Sequence, residues 1–409
     1  MTRRNGIVVL LSLAMALGLI DRINFSVALA AKDFQAWFGL TDGARGMLSS
    51  AFFWTYAPLQ IAAGWVVDRY GVRWPFAIGF LLWSAATVAT AAAGSVAMLL
   101  AVRLLLGVGE SLLSPGALRW IRMHFAESRR GFVVGVVMAG SKFGPAIGAP
   151  VAAWLTVAHG WRTMFVLMGA VPLIWLWPWV ALAREEPRWG SPPACRDRPG
   201  GLSYRPLRSR AVAGILISSF CYQYFVYFCL TWMPAYFVER RHLDLGAMGW
   251  YAMFSFAGTA IIAAAAGWAA DRLIGRGRNP VNVRRAFAIA GLVFGATELA
   301  GALAHSSGVA LFFAVFSLSG VGLTTANHWA LAQSLVPAGM AGQMAGLQAC
   351  AASLPGIVAP LVTGWLKQST GGYDAPMQAV GLFLALGILS YAVLVRESGA
   401  PAAAARSLS

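Results

Sequence analysis

The run Leu19-Ile20-Asp21-Arg22-Ile23-Asn24-Phe25-Ser26 places an acid, a base and an amide inside a stretch, Gly6 to Ala31, that carries no other charge. Such a stretch is long enough to cross a bilayer as a helix. A charged side chain near the middle of that helix costs a few kcal/mol, so Asp21 and Arg22 belong against a partner or a water-filled cavity. Adjacent residues point roughly 100° apart around a helix, and the two cannot easily pair with each other alone. Partners elsewhere in the chain are expected. An acid whose access to water changes can load and unload a proton, and a guanidinium offers a carboxylate two parallel hydrogen bonds. The alternative is a self-neutralising knot that only holds helices together.

A second constellation is Arg103-Leu104-Leu105-Leu106-Gly107-Val108-Gly109-Glu110, with Pro115 beyond it. Seven residues return Arg103 and Glu110 to one face, roughly 10 Å apart along the axis, so both should look into one cavity. Glu110 is then a candidate proton carrier, beside the reading of a static ion pair for Arg103 with Asp21. Lys142 lies deep in a third uncharged run. It either faces the cavity, where it could neutralise a second carboxylate or answer Glu110 or Asp21, or snorkels to the interface, and its depth favours the cavity. The glycines around it, Gly140, Gly144 and Gly148, read as close helix packing.

Neutral polar groups follow in the second half of the chain. Tyr224, Tyr227 and Thr231 recur at helical spacing, with Tyr222, Gln223 and Trp232 beside them. Buried tyrosine hydroxyls need partners, which favours a hydrated cavity for at least one. Asn327-His328-Trp329 interrupts another apolar run, where His328 is either a relay or a neutral hydrogen-bonded histidine. Ser353 is a further candidate. Glu298 sits toward one end of its run, where an interfacial position is expected. Neither a nucleophile–base pair, a metal-ligand cluster nor a phosphate loop appears among the motifs, so an enzyme is not expected and no cofactor is called for. Cys195, Cys221, Cys229 and Cys350 lack metal spacing and read as small apolar packers.

The elements that must hold these groups follow from composition. The chain has 409 residues, 59% hydrophobic and 11% charged, with a mean hydropathy of +0.67. Twelve apolar runs recur, around 6–30, 46–67, 74–94, 96–118, 131–157, 163–183, 211–238, 248–270, 286–304, 308–335, 341–366 and 377–395. Lipid leaves only helices or closed barrels, and runs this long and continuous read as helices. The first run lacks a small-residue cleavage site and is expected to be a retained helix. An all-α membrane protein is expected.

The net charge of +16 could suggest nucleic acid, but its placement argues otherwise. With the N-terminus inside, most arginines fall in cytoplasmic loops, while Lys32, Arg45, Arg162, Arg240, Arg241 and Lys367 fall outside. That bias puts both termini in the cytoplasm, and anionic headgroups account for the basicity. The stretch 184–210 is rich in Arg, Pro, Gly and Ser, and divides the runs into two sets of six. Gly64-Trp65-Val66-Val67-Asp68-Arg69 recurs as Gly267-Trp268-Ala269-Ala270-Asp271-Arg272, each at the end of the second run of its half. Two homologous bundles, 1–183 and 211–397, are therefore expected around a central site, with 398–409 a disordered tail.

The first repeat continues as Tyr70-Gly71-Val72-Arg73, and it resembles the loop between helices 2 and 3 of the major facilitator superfamily. The resemblance implies the major facilitator fold with its 12 transmembrane helices, and a conformational latch built on Gly64, Asp68, Arg69, Gly71, Arg73, Asp271 and Arg272. In such a latch the aspartate bonds a helix of the other bundle. Asp21-Arg22-x-Asn24-x-Ser26, Phe53-Trp54-Thr55-Tyr56 with Gln60, Arg103 with Glu110 and Pro115, Ser128-Arg129-Arg130-Gly131, and Thr231-Trp232-x-Pro234-x-Tyr236 together resemble the anion:cation symporter family. That likeness gives Asp21 and Glu110 the protons, Arg22 the substrate carboxylate, and Arg103 a pairing with the acid of the first helix. Ala349 and Ser353 stand where family members commonly carry asparagines.

A proton-coupled carrier of a small organic anion is expected, most plausibly a sugar acid of the galactonate, glucarate or hexuronate kind. Arg22, Asn24, Tyr56, Lys142, Tyr224, Tyr227, His328, Trp329 and Ser353 are the candidate substrate contacts. The expected setting is the cell inner membrane, as a multi-pass monomer with no nucleic-acid partner. Multidrug:proton antiport, which would need a larger apolar cavity, and carriage of aromatic or dicarboxylic acids are the alternatives.

Overall fold

The computed structural model describes residues 3–125, 127–183, 209–336 and 341–395. Every regular element among them is helical. The first half holds α1 (Arg3–Ala30), α2 (Lys32–Phe38), α3 (Asp42–Tyr70), α4 (Arg73–Thr90), α5 (Val96–Glu110), α6 (Leu113–His124), α7 (Glu127–Ala170) and α8 (Leu176–Leu182). The second holds α9 (Arg210–Thr231), α10 (Met233–Arg240), α11 (Leu245–Gly275), α12 (Pro280–Ala296), α13 (Glu298–Leu303), α14 (Ser307–Gly320), α15 (Gly322–Ser334), α16 (Ala341–Ser353), α17 (Pro355–Thr370) and α18 (Asp374–Val393). Nine helical stretches among the described residues are long and apolar enough to cross a membrane. The linker expected at 184–210, apart from its last two residues, lies outside the described residues, as do Cys195 and the tail at 398–409.

Several apolar runs are broken within themselves, and the breaks follow local chemistry. Proline lacks an N–H and its ring crowds the carbonyl four residues back. Pro115 accordingly sits just past the break between α5 and α6, Pro234 past that between α9 and α10, and Pro355 opens α17. Gly160, at φ 80°, bends α7 where only glycine turns without strain.

Helices α1 to α8 pack among themselves, as do α9 to α18, and the two groups meet mainly along α3 with α17 and α7 with α11. Small residues set how closely they approach. A Cβ added at Gly46 of α3 would lie 2.5 Å from the Pro360 carbonyl of α17, and one at Gly364 would lie 2.6 Å from the Asp42 carbonyl. Further along α3, toward Asp68, Gly64 meets nothing within 4 Å, and neither does Gly346 on α16, the helix that precedes α17. Among the described residues the groups are thus closed on each other at one end and parted at the other. Inside the first group, added Cβ atoms at Gly140 and Gly144 would fall 2.0 Å from Ser12 O and 2.3 Å from Ala16 O, which is the close packing of α7 on α1 expected of those glycines.

Candidate functional site

Asp21, Arg22 and Asn24 are buried on α1 at 5%, 8% and 0% exposure, and Arg103 and Glu110 on α5 at 5% and 0%. The break after Glu110 turns the end of α5 toward α1. There Arg22 donates through Nε at 3.1 Å and Nη2 at 2.9 Å to the same Glu110 oxygen, Oε2. Glu110 Oε1 remains buried without a hydrogen-bond partner. The Arg22 guanidinium lies against an aromatic pair, 4.5 Å from the centroids of both Phe52 and Tyr56, which stack on each other 4.9 Å apart. Stacking of this kind favours arginine over lysine.

The pairing differs from the one the resemblance implies. Arg103 makes no ion pair with Asp21 among the described residues. It donates to the Leu48 carbonyl at 3.3 Å and lies 4.2 Å over the Phe25 ring. Asp21 Oδ1 is buried without a partner, as are both side-chain polar atoms of Asn24. Spacing along α5 puts both charged residues on one side, but Glu110 closes the helix and so meets α1 first. Both arginines line a cavity of ≈ 10 Å³ shared with Phe25, Ser26, Ser49, Phe53, Leu230 and Thr231. That is room for about one water. Leu230 and Thr231 come from α9, so the cavity sits where the two halves meet.

The other expected contacts separate. Tyr227 reaches the site, with its ring 4.8 Å from Phe53 of α3. Tyr224 does not: it is fully buried with its ring 4.1 Å from Phe383 of α18, because its step around α9 turns it into the packing of the second half. His328 is fully buried, bonded to Ser219 and Gln348. Trp329, one residue on, is 41% exposed, with its ring edge-to-face on that of His328 at 5.0 Å. Ser353 donates to its own helix at Ala349 O, 2.8 Å away. Lys142 is half-buried on α7 and has no hydrogen-bond or ion-pair partner among the described residues. Glu298 is buried inside the second half, 1% exposed and bonded to Ser317, since α13 starts at Glu298 and packs on α14. Cys350 is exposed, unlike Cys221 and Cys229.

The latch residues occupy the parted end. Asp68 pairs with Arg119 of α6, and Asp271 with Arg284 of α12 at 2.8 Å, each within its own half. Among the described residues Asp68 makes no bond to the other half, unlike the expected latch. Gly71, at φ 80°, makes the turn into α4. Arg73 donates to Val180 O, Arg69 lies 6.0 Å over Trp65, and Arg272 lies 5.3 Å over Trp268.

A charged ring at the closed end went unpredicted. Arg45 bonds Asp42 at 2.9 Å and Glu239 at 2.7 Å, and Lys367 bonds Asp42 at 2.6 Å and Glu239 at 2.7 Å. Tyr373 donates to Glu239 at 2.9 Å, and Arg45 lies 4.9 Å over Trp232. Burial alone would raise the Glu239 carboxyl, but Arg45 and the bonds from Lys367 and Tyr373 outweigh it and hold Glu239 below the usual carboxylate range. A signal was present, since Arg45 and Lys367 are bases on the side where bases are scarce, each near the end of a run. Gln348 and Ser219 also went unpredicted, and an amide and a hydroxyl inside apolar runs were the signals for them.

Comparison with known proteins settles the family. The model of the Major Facilitator Superfamily matches residues 11–360. The chain belongs to that superfamily. A probable sulfoacetate transporter of Cupriavidus necator is 31% identical over 91% of this chain and 89% of its own length. The hexuronate transporter of Bacillus subtilis is 28% identical, covering 94% of each, and the D-galactonate transporter of Escherichia coli is 26% identical over 97% of this chain and 96% of its own. This superfamily member is a membrane transporter, not an enzyme. In fold it is similar to a bacterial homologue of the lysosomal transporter Spinster in an inward-facing, occupied conformation, with a TM-score of 0.80 at 18% identity over 98% of this chain and 100% of the other. A D-xylose–proton symporter gives 0.78 at 16% identity, over 97% and 99%.

Proposed function

We propose that the protein is a secondary carrier that takes up a small organic anion together with protons, by alternating access between two six-helix bundles, 1–183 and 211–397. The chain ends face the cytoplasm, the chain crosses the inner membrane twelve times, and it works as a monomer. The structure then corresponds to the state open to the cytoplasm and closed outside. The relatives named above carry sulfoacetate, hexuronates and galactonate, which supports a compact acid, and a sugar acid foremost.

The observation that carries this reading is the Arg22–Glu110 pair at the edge of the central cavity. A substrate carboxylate and the Glu110 carboxylate compete for one guanidinium. Protonating Glu110 removes its claim, frees Arg22 for the anion and removes a buried charge at the same moment, so proton and anion load together. Arg103, with no carboxylate in contact, supplies the second cation at the cavity, and the Ser26, Ser49 and Thr231 hydroxyls surround the bound group. Asp21 is the second acid near this pair. A cavity lined by two guanidiniums disfavours multidrug antiport.

Uptake of radiolabelled sugar acids into proteoliposomes, with and without an inward proton gradient, tests the reading. Gradient-driven accumulation is expected. Uptake that ignores the gradient, or absence of uptake for every organic acid, would overturn it.

A further inference from the structure

A cleft of ≈ 530 Å³ opens at the closed end, and both halves wall it. Lys32, Asp33 and Val157 line it from the first half, and Val238 with the run His242-Leu243-Asp244-Leu245 lines it from the second. It adjoins the charged ring, because Gln35, three residues after Lys32 on α2, donates to Glu239 at 3.3 Å. Its volume is that of a small-molecule site.

The two acids of the cleft have local employment. Asp244 caps α11, accepting from the Ala247 N–H at 2.8 Å, and Asp33 sits in the first turn of α2. The partial positive charge of a helix N-terminus favours an acid at both places. The two bases stand where their own segments disfavour them. Lys32 opens α2, the wrong end of a helix for a cation. It has neither an ion-pair nor a hydrogen-bond partner among the described residues, whereas Arg45 and Lys367 close the ring and Arg241 donates to three carbonyls around the end of α13. His242 follows α10 at φ 58° and is the one non-glycine residue at positive φ among the described residues. A Cβ crowds the backbone in that conformation, and glycine is its usual occupant after a helix. The fold of its own segment accounts for neither base, and what the two share is the cleft. The Thr156 hydroxyl at its edge is spent on Ala152 O at 2.8 Å, and the rest of the lining is aliphatic. Two N–H donors, one of them cationic, beside an aliphatic wall describe a site for an organic anion with an apolar body.

We infer that this cleft binds such an anion between Lys32 and His242 and so holds the closed end shut. Both ion pairs that cross between the halves among the described residues, Arg45–Glu239 and Lys367–Asp42, belong to the ring. None bridges α7 and α11, which meet beside the cleft. An anion bonded to Lys32 of one half and His242 of the other supplies the missing crossing contact there. A ligand that grips both halves favours the arrangement in which they stand together. The site is separate from the Arg22 cavity and does not depend on the uptake reading.

The test measures equilibrium binding of radiolabelled benzoate to the full chain in lipid nanodiscs, with empty nanodiscs as the blank and benzamide as the uncharged match. Benzoate is expected to bind more tightly than benzamide by on the order of tenfold or more, as one charge-assisted hydrogen bond allows. Lys32→Gln should remove that preference, and Lys32→Arg should keep it. His242→Gly should weaken benzoate binding while raising the melting temperature of the empty protein, because glycine takes the left-handed conformation without strain. Weaker binding in a more stable protein is not misfolding. Arg22→Ala combined with Glu110→Gln should leave benzoate binding unchanged. Benzoate binding that survives Lys32→Gln or His242→Gly overturns the inference, as does equal binding of benzamide. Binding that falls with the Arg22 variant and not with Lys32→Gln places the anion in the central cavity and overturns it too.

Discussion

Replacing Glu239 by glutamine removes one charge from the four-residue ring that closes α3 against α9–α10 and α17. Two bonds of the ring cross between the halves, Arg45–Glu239 at 2.7 Å and Lys367–Asp42 at 2.6 Å, and two stay within a half, Arg45–Asp42 and Lys367–Glu239. The variant weakens one crossing bond and leaves the other. A bond to a charged group is worth about 1.5–3 kcal/mol, and the glutamine carbonyl keeps a neutral bond of about 1, so the closed end should lose roughly 0.5–2 kcal/mol. That is about a 2- to 30-fold shift toward the state open at this end. Spin labels at Ala36→Cys and Ser369→Cys, in a background without Cys195, Cys221, Cys229 and Cys350, report the separation of the halves by electron–electron double resonance. A longer-distance population should appear with Glu239→Gln, and an unchanged distribution in a folded variant would refute the gate. The pH dependence has a defined sign. Arg45 holds the Glu239 carboxyl down only while the end is closed, so closure is favoured above the carboxylate range and weakens as pH falls through it. Between about pH 7 and pH 5 the label distances should therefore not move.

Glu110→Gln should retain counterflow exchange of substrate but lose accumulation driven by a pH gradient, as measured side by side in the same proteoliposomes. Undiminished gradient-driven accumulation would remove Glu110 from the coupling. Arg22→Ala leaves the fully buried Glu110 carboxylate unpaired and should destabilise by about 3–5 kcal/mol. Adding Glu110→Gln should restore the melting temperature and not the uptake. Arg22→Lys should transport poorly, because an ammonium cannot lie flat against the Phe52–Tyr56 pair while donating twice to one oxygen. Gly46→Val should be trapped open at the end that glycine closes, since even a Cβ there would lie 2.5 Å from Pro360 O, and the same spin-label pair reads it.

Much of the architecture was legible because lipid permits few solutions. Apolar runs become helices, and the doubled Gly-Trp-x-x-Asp-Arg marks corresponding places in the two halves. The residues of the charged site were legible for a related reason: Asp21, Arg22, Arg103 and Glu110 are conspicuous where charge is expensive. Their pairing was not. Helical spacing gives the face on which Arg103 and Glu110 lie, whereas the partner of Arg22 depends on the kink after Glu110 and on the reach of a flexible side chain. The ring of Asp42, Arg45, Glu239 and Lys367 was hidden for the opposite reason. Polar residues at helix ends attract no notice, and Asp42 and Lys367 are 325 positions apart. Tyr224 and Tyr227 differ by one turn of α9, yet only Tyr227 crosses to the other half.

The two ion-pair systems divide the work of a transport cycle in a way their partners dictate. Arg22–Glu110 lies wholly within the first half, so rocking of the halves neither makes nor breaks it, and only substrate or proton can. The ring does the reverse. Its crossing bonds report on closure alone, and when they part every charge still has a partner in its own half, so opening leaves no bare ion behind. This keeps the free-energy gap between the two states small, which a reversible carrier requires. For loading to influence closure, the first system must be linked to the helices that hold the second. Phe53 supplies such a link: its ring lies 5.7 Å from the Arg22 guanidinium and 4.8 Å from the Tyr227 ring of α9, and a Cβ added at Gly356 of α17 would sit 2.6 Å from it. Of these two helices, α17 carries Lys367 and α9 leads into α10, which carries Glu239.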